Sequence, residues 1–162
     1  MRALKLRYPS VRRFAAERLM ACEDPAIIPD LIETTRDENV DVQLLAVQAL
    51  GKFAARPEVG KRLVELLAQG DICVRQQAVE TLGAYQVKEA VDPLIRLLGN
   101  PFLKQRAMEA LQRMGDRKGY LAVKRSKIRE RIFGKKKAKG VPPPTLRKGK
   151  TGLGMKGKRS QG

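Results

Sequence analysis

The sequence repeats itself at a spacing of about 31 residues, and this periodicity restricts the fold more than any other feature. Three apolar columns, each four residues after the previous one, align in four successive copies. The columns are Val11, Val42, Val74 and Leu103; then Ala15, Ala46, Ala78 and Ala107; then Leu19, Leu50, Leu82 and Leu111. Residues four apart share one face of an α-helix. Self-similarity at such a period predicts a stack of helical repeats.

Each copy contains a second helical segment. The clearest copy is residues 71–100, where a break after Gly83 separates two apolar series. In three copies the second series aligns at Leu31, Leu63 and Leu94. A capping residue precedes the first helix of the last three copies: Asn39, Asp71 and Asn100. We therefore predict about four helical hairpins.

The scarcity of large rings agrees with this prediction. Aromatic residues make up 4% of the chain and Trp is absent. A core of Leu, Val, Ile and Ala suits closely packed helices better than a sheet, which favours β-branched and aromatic cross-strand pairs. The sequence therefore predicts an all-α protein.

The motif of residues 71–98 resembles a HEAT repeat, most closely the short-repeat subclass of phycobilisome lyases. The resemblance covers residues 9–116. It is carried by Asp71, Val74, Arg75, Ala78, Leu82, Gly83, Ala90, Val91, Pro93, Leu94, Ile95, Leu97 and Leu98. It implies a right-handed α-solenoid whose concave wall is lined by the helices with the Val-Arg pair. The interaction residues expected on that wall are Arg12, Gln43, Arg75 and Lys104, of which Gln43 departs from the basic pattern.

Charge divides the chain into segments. The formal net charge is +5 for residues 1–18, −4 for residues 19–116 and +16 for residues 117–162. We predict a basic N-terminal segment (1–8), a solenoid (9–116), a basic capping helix (117–133) and a Lys/Gly/Pro-rich tail (134–162). The tail is predicted to be disordered unless bound, because it has too few apolar residues to offset its chain entropy.

The basic C-terminal region is the main functional signal. Glu130 is its only acidic residue, and its composition is similar to that of the tails with which ribosomal proteins enter folded RNA. Clustered Lys and Arg residues neutralise phosphates. The predicted nucleic-acid-binding residues are Lys124, Arg125, Lys127, Arg129, Arg131, Lys135, Lys136, Lys137, Lys139, Arg147, Lys148, Lys150, Lys156, Lys158 and Arg159.

The predicted partners are RNA, with ribosomal RNA as the main candidate, through the tail and capping helix, and protein neighbours through the solenoid. Two alternatives remain open at this stage. One is a protein scaffold or chaperone module, including a phycobilin-lyase-like role. The other is duplex DNA binding by the same cations. Competition between DNA and structured RNA separates that alternative from RNA binding.

The sequence argues against catalysis. It has no His, no nucleophile paired with a base and no phosphate-binding loop, so we expect no enzyme activity, cofactor, metal or small-molecule substrate. The two cysteines, Cys22 and Cys73, are predicted to be buried thiols. No apolar run approaches the roughly 20 residues of a membrane span. The expected location is the cytoplasm, although the Arg-rich N-terminus also fits an organellar matrix.

Overall fold

The computed structural model of the chain describes residue 4 and residues 7–134, with the backbone alone for residues 133 and 134. Within this part of the chain eight α-helices follow one another and there is no β-strand. Short 3-10 turns lead into α2 (Pro25–Ile27) and α6 (Lys88–Ala90), and a π-helical turn, Glu130–Gly134, extends α8. The helices are α1 (Pro9–Leu19), α2 (Ile28–Thr34), α3 (Val40–Gly51), α4 (Pro57–Leu66), α5 (Ile72–Ala84), α6 (Val91–Leu97), α7 (Lys104–Met114) and α8 (Arg117–Arg129).

The first helices of successive repeats form one layer, in which α1 packs on α3, α3 on α5 and α5 on α7. Small residues lie where these helices cross. A Cβ atom built on Gly83 of α5 would lie 2.6 Å from the Cβ and 2.7 Å from the Cα of Ala110 in α7. The alanines of the aligned column, Ala46, Ala78 and Ala107, are fully buried as well. The helices therefore approach closely because no larger side chain separates them.

The predicted apolar columns form the core. The buried leucines of these columns are Leu19, Leu31, Leu50, Leu63, Leu82, Leu94 and Leu111. The first copy is less well covered: Val11 is exposed and Ala15 is half-buried, whereas their aligned counterparts in the later copies are fully buried. It differs because no first helix precedes α1 in the described part of the stack.

Each second helix packs most closely on the first helix that follows it in the chain: α2 on α3, α4 on α5 and α6 on α7. The two helices of residues 71–100, α5 and α6, thus belong to different packing pairs. α8 occupies the position of a fourth second helix, where it contacts both α6 and α7. Its Val123 is buried in the register of Leu31, Leu63 and Leu94.

The capping residues act as expected at α3 and α5. The Asn39 side chain accepts a hydrogen bond from the Val42 N–H, and Asp71 accepts one from the Cys73 N–H at 2.7 Å. Asn100 accepts from the N–H groups of Phe102 and Leu103 instead, in a turn, so the regular helix α7 starts only at Lys104.

The prediction of two buried thiols was wrong. Cys22 is half-buried and Cys73 is exposed. Cys73 lies in the first turn of α5, one residue before the buried Val74, so its side chain points away from the core-facing column. The Asp71 carboxylate, through a hydrogen bond and its charge, raises the pKa of the Cys73 thiol.

The Asp71 carboxylate thus lowers the thiolate fraction of Cys73 at neutral pH. In a Cys22→Ser background we expect an Asp71→Asn variant to be alkylated by iodoacetamide several-fold faster than its Asp71 parent at about pH 8. The substitution removes the charge that disfavours the thiolate, while Asn caps the helix as well as Asp. Mass spectrometry of the Cys73 peptide measures the rate. Glu109→Gln is the control for a lost carboxylate, and equal rates in all three proteins would contradict the prediction.

Candidate nucleic-acid interface

The five predicted RNA-binding cations within the described part of the chain lie on α8 and the turn that follows it. Lys124, Arg125, Lys127, Arg129 and Arg131 are all exposed. None of these five side chains forms an ion pair with a described residue. Buried Val123 and Gly119 hold α8 against the solenoid. The cations thus extend from a helix anchored to the solenoid.

The acidic groups near α8 are already engaged. Glu130, the only acid among residues 117–162, pairs with Lys104 of α7. Asp92 of α6 forms an ion pair with Lys118, with 2.5 Å between Asp92 Oδ1 and Lys118 Nζ. The Asp116 carboxylate accepts a hydrogen bond from the Gly119 N–H at 3.0 Å and so caps α8. These acids therefore do not neutralise the five exposed cations.

The other ten predicted RNA-binding residues lie outside the described residues, and their role stays a prediction. They are Lys135, Lys136, Lys137, Lys139, Arg147, Lys148, Lys150, Lys156, Lys158 and Arg159. They follow α8 directly in the sequence. Any surface formed by the five cations of α8 is thus continuous along the chain with ten more positive charges.

The four side chains predicted to line a concave wall form hydrogen bonds or ion pairs with loops and helix ends of the protein itself. Arg12 is 6% exposed. Its guanidinium donates to both oxygens of Asp37, at 2.7 and 3.0 Å, and to Glu38 at 2.9 Å. The hydrogen bond with Asp37 raises the pKa of Arg12 above its ordinary value. Gln43 donates from its side-chain amide to the Asp37 carbonyl oxygen. Both residues therefore fasten the loop between α2 and α3.

Arg75 and Lys104 have similar contacts. Arg75 Nε donates to the Leu67 carbonyl oxygen at 2.9 Å, at the end of α4, and Lys104 pairs with Glu130. All four aligned residues, at the Arg position of the motif, thus bond within the protein. This arrangement favours a structural role, and their part in partner binding stays a prediction.

A different column is exposed on the layer of first helices. It comprises Glu17, Gln48, Glu80 and Glu109, each six residues after the aligned Val or Leu. Gln48 contacts Gln77 of the next first helix at 3.3 Å, and Glu80 pairs with Arg106 at 3.3 Å. The recurrence of Glu or Gln at this position was the sequence signal for it. The exposed surface of this layer therefore carries both signs of charge, unlike the mainly basic α8.

A family model described as HEAT repeats matches residues 2–71 and again residues 61–124. The chain is a HEAT-repeat protein. Proteins of this kind are generally helical scaffolds that mediate protein–protein interactions. A comparison with curated proteins finds no match. The phycobilisome-lyase-like subclass has no support beyond the motif itself.

This HEAT-repeat protein also exposes large apolar side chains that the repeat pattern did not predict. On α8 they are Tyr120, Leu121, Ile128 and Ile132, and elsewhere they include Phe14 and Phe102. Of the apolar residues Tyr120, Leu121, Val123, Ile128 and Ile132 on α8 and the turn after it, only Val123 is buried, because α8 is the last helix of the described stack.

A groove of about 700 Å³ lies between the α3–α4 and α5–α6 connections of the HEAT-repeat stack. Tyr85 and Val87 line one side, and Pro57 and Val64 line the other. Its charged lining is mixed, with Arg56, Lys61, Glu65, Lys88 and Glu89. The groove therefore does not extend the basic surface of α8. Within the described residues no cluster of possible metal ligands occurs, and no helix is long and apolar enough to cross a membrane.

Proposed function

We propose that this HEAT-repeat protein binds RNA through its basic C-terminal region and is a component of a ribonucleoprotein, with the ribosome as the leading candidate. The observation that carries the proposal is a set of five exposed cations on α8 and the turn after it, none of which forms an ion pair with a described residue, next in sequence to ten more. The solenoid would serve as the scaffold that holds this region and contacts neighbouring proteins.

Electrostatics supports a polyanion as the ligand. Lys and Arg side chains without acidic partners break no ion pair when they bind phosphates, and each contact releases counterions from the nucleic acid. Arg can bind a phosphate through two hydrogen bonds, whereas Lys acts as a point charge. Tyr120 is the one exposed aromatic residue on α8 itself. Recognition of RNA shape and backbone therefore fits better than stacking on single-stranded bases.

The five cations of α8 provide the direct test. We expect a variant with Lys124, Arg125, Lys127, Arg129 and Arg131 changed to Gln to bind a structured RNA hairpin about tenfold more weakly, or worse, at moderate salt. The slope of log affinity against log salt concentration should fall in magnitude by roughly 3.5 to 4.5 if all five contact phosphates. Fluorescence anisotropy of a labelled hairpin measures both quantities.

A matched control distinguishes binding at α8 from a general effect of the protein's net charge. Five exposed solenoid cations, Lys52, Arg56, Lys61, Lys88 and Arg96, can be changed to Gln for the same loss of charge. This control should keep nearly the full affinity. Equal losses in the two variants would contradict an interface on α8. A duplex DNA competitor that displaces the hairpin as well as unlabelled RNA does would favour DNA as the ligand.

A further inference from the structure

Three aliphatic side chains form an outward stripe along α8 that RNA binding does not explain. Leu121, Ile128 and Ile132 are 41%, 49% and 55% exposed. They are seven and four residues apart, so helical geometry places them on one face. Val123, the buried contact of α8 with the solenoid, lies on nearly the opposite face of the helix. We call these three residues the apolar stripe.

The apolar stripe does not correspond to the surface through which the earlier second helices contact their neighbours in the stack. With Val123 aligned to Leu31, Leu63 and Leu94, the position of Leu121 corresponds to Pro29, Lys61 and Asp92 in the earlier second helices, all exposed. The face that a following first helix would cover holds different residues. There α8 has Lys124 where the earlier second helices have Ile32, Val64 and Ile95.

The lysine at this position argues against continuation of the stack beyond α8. An exposed lysine on the covering face disfavours a fifth first helix, because a charge would have to be buried without a partner. The apolar stripe lies on another face and needs a separate explanation. Its side chains would remain in contact with water in a complex formed through phosphates alone.

The shape and charge around the apolar stripe define its partner. It is one residue wide over most of its length, with Arg125 between its members, which is the width of a contact with a single helix. Lys124 and Arg131 flank it on one side and Arg129 on the other. We infer that the apolar stripe docks an amphipathic helix of another protein whose apolar residues are flanked by Asp or Glu.

A second copy of this chain fits less well. At the other end of the stack, Tyr8, Val11 and Phe14 are exposed on and before α1, but exposed Arg7, Arg13 and Arg18 stand beside them. Pairing either end with α8 would bring cations together. A partner helix with acidic flanks instead complements the charge on both sides of the apolar stripe.

A designed peptide can test this inference without knowledge of the natural partner. The probe is a labelled helical peptide of about 20 residues with Leu at heptad positions a and d and Glu at the flanking positions. A matched peptide carries Lys in place of Glu. We expect the full chain to bind the acidic peptide and not the basic one. A variant with Leu121, Ile128 and Ile132 changed to Ser should bind it at least about tenfold more weakly.

The control variant changes three exposed rings elsewhere, Phe14, Tyr85 and Phe102, to Ser, and should bind the peptide like the wild type. The apolar-stripe variant keeps every cation, so its affinity for the RNA hairpin should be unchanged, which separates this inference from the proposed function. Undiminished peptide binding by the apolar-stripe variant would overturn the inference. So would apolar-stripe-dependent binding to vesicles of phosphatidylglycerol without peptide binding, or an apolar-stripe-dependent dimer in analytical ultracentrifugation.

Discussion

A Gly83→Ala substitution should lower the free energy of unfolding by roughly 1–3 kcal/mol, although alanine is the better helix former. Gly83 lies in α5 where it crosses α7. The new Cβ would stand 2.6 Å from the Cβ and 2.7 Å from the Cα of Ala110. Because one of these atoms belongs to the backbone, no rotation of a side chain relieves the clash. The two helices must move apart, which loosens the contacts of the whole first-helix layer.

Gly99→Ala is the matched control. A Cβ at Gly99 would meet nothing closer than 3.6 Å, the distance to the Arg96 carbonyl oxygen. Gly99→Ala lowers the conformational entropy of the unfolded chain as Gly83→Ala does, but it introduces no clash in the folded protein. The control should therefore be as stable as the wild type or more stable by about 0.4–1 kcal/mol. Urea unfolding followed by circular dichroism measures both variants. A Gly83→Ala protein as stable as the wild type would show that α5 and α7 lie further apart than described.

The repeat register could be predicted from sequence because it depends on local spacing. Val42, Ala46 and Leu50 are four residues apart, and this spacing, repeated in each copy, places such residues on one face of a helix. The packing partners could not be read in the same way. Periodicity is identical whether α6 packs on α5 or on α7, and only the path of the short connections decides between them.

The same distinction applies to the candidate site, where exposure could be predicted from sequence but contacts between distant residues could not. Lys124 and Arg131 were predicted to be exposed, and they are, since the sequence around them holds no acid but Glu130. The bonds of Arg12 to Asp37 join residues 25 apart, which no spacing rule pairs. Likewise the apolar pattern of α8 shows that Leu121 and Ile128 share a face, but not whether another helix covers it. The sequence therefore predicts which residues share a helix face better than it predicts whether a neighbouring helix covers that face.

Deleting residues 135–162 should weaken binding to structured RNA by about 10³-fold or more at ~150 mM salt, while the helical content of the described domain stays the same. The deletion removes ten Lys or Arg residues and no acid. If ~6 of them neutralise phosphates, the affinity of the intact chain should itself fall about 10³-fold between ~50 and ~200 mM salt. The deleted protein should lose this tail-dependent part of the salt dependence and keep the part contributed by Lys124, Arg125, Lys127, Arg129 and Arg131.

Two full-length controls identify what the deletion removes. A tail with the same residues in shuffled order should retain most of the affinity, because contacts to the phosphate backbone depend on charge rather than on order. A tail with its ten Lys and Arg residues changed to Gln should behave like the deletion. Cosedimentation with ribosomal particles, with and without nuclease, extends the comparison to the proposed assembly. Undiminished RNA binding and cosedimentation by the deleted protein would contradict a role for the tail and leave α8 and the solenoid as the binding surface.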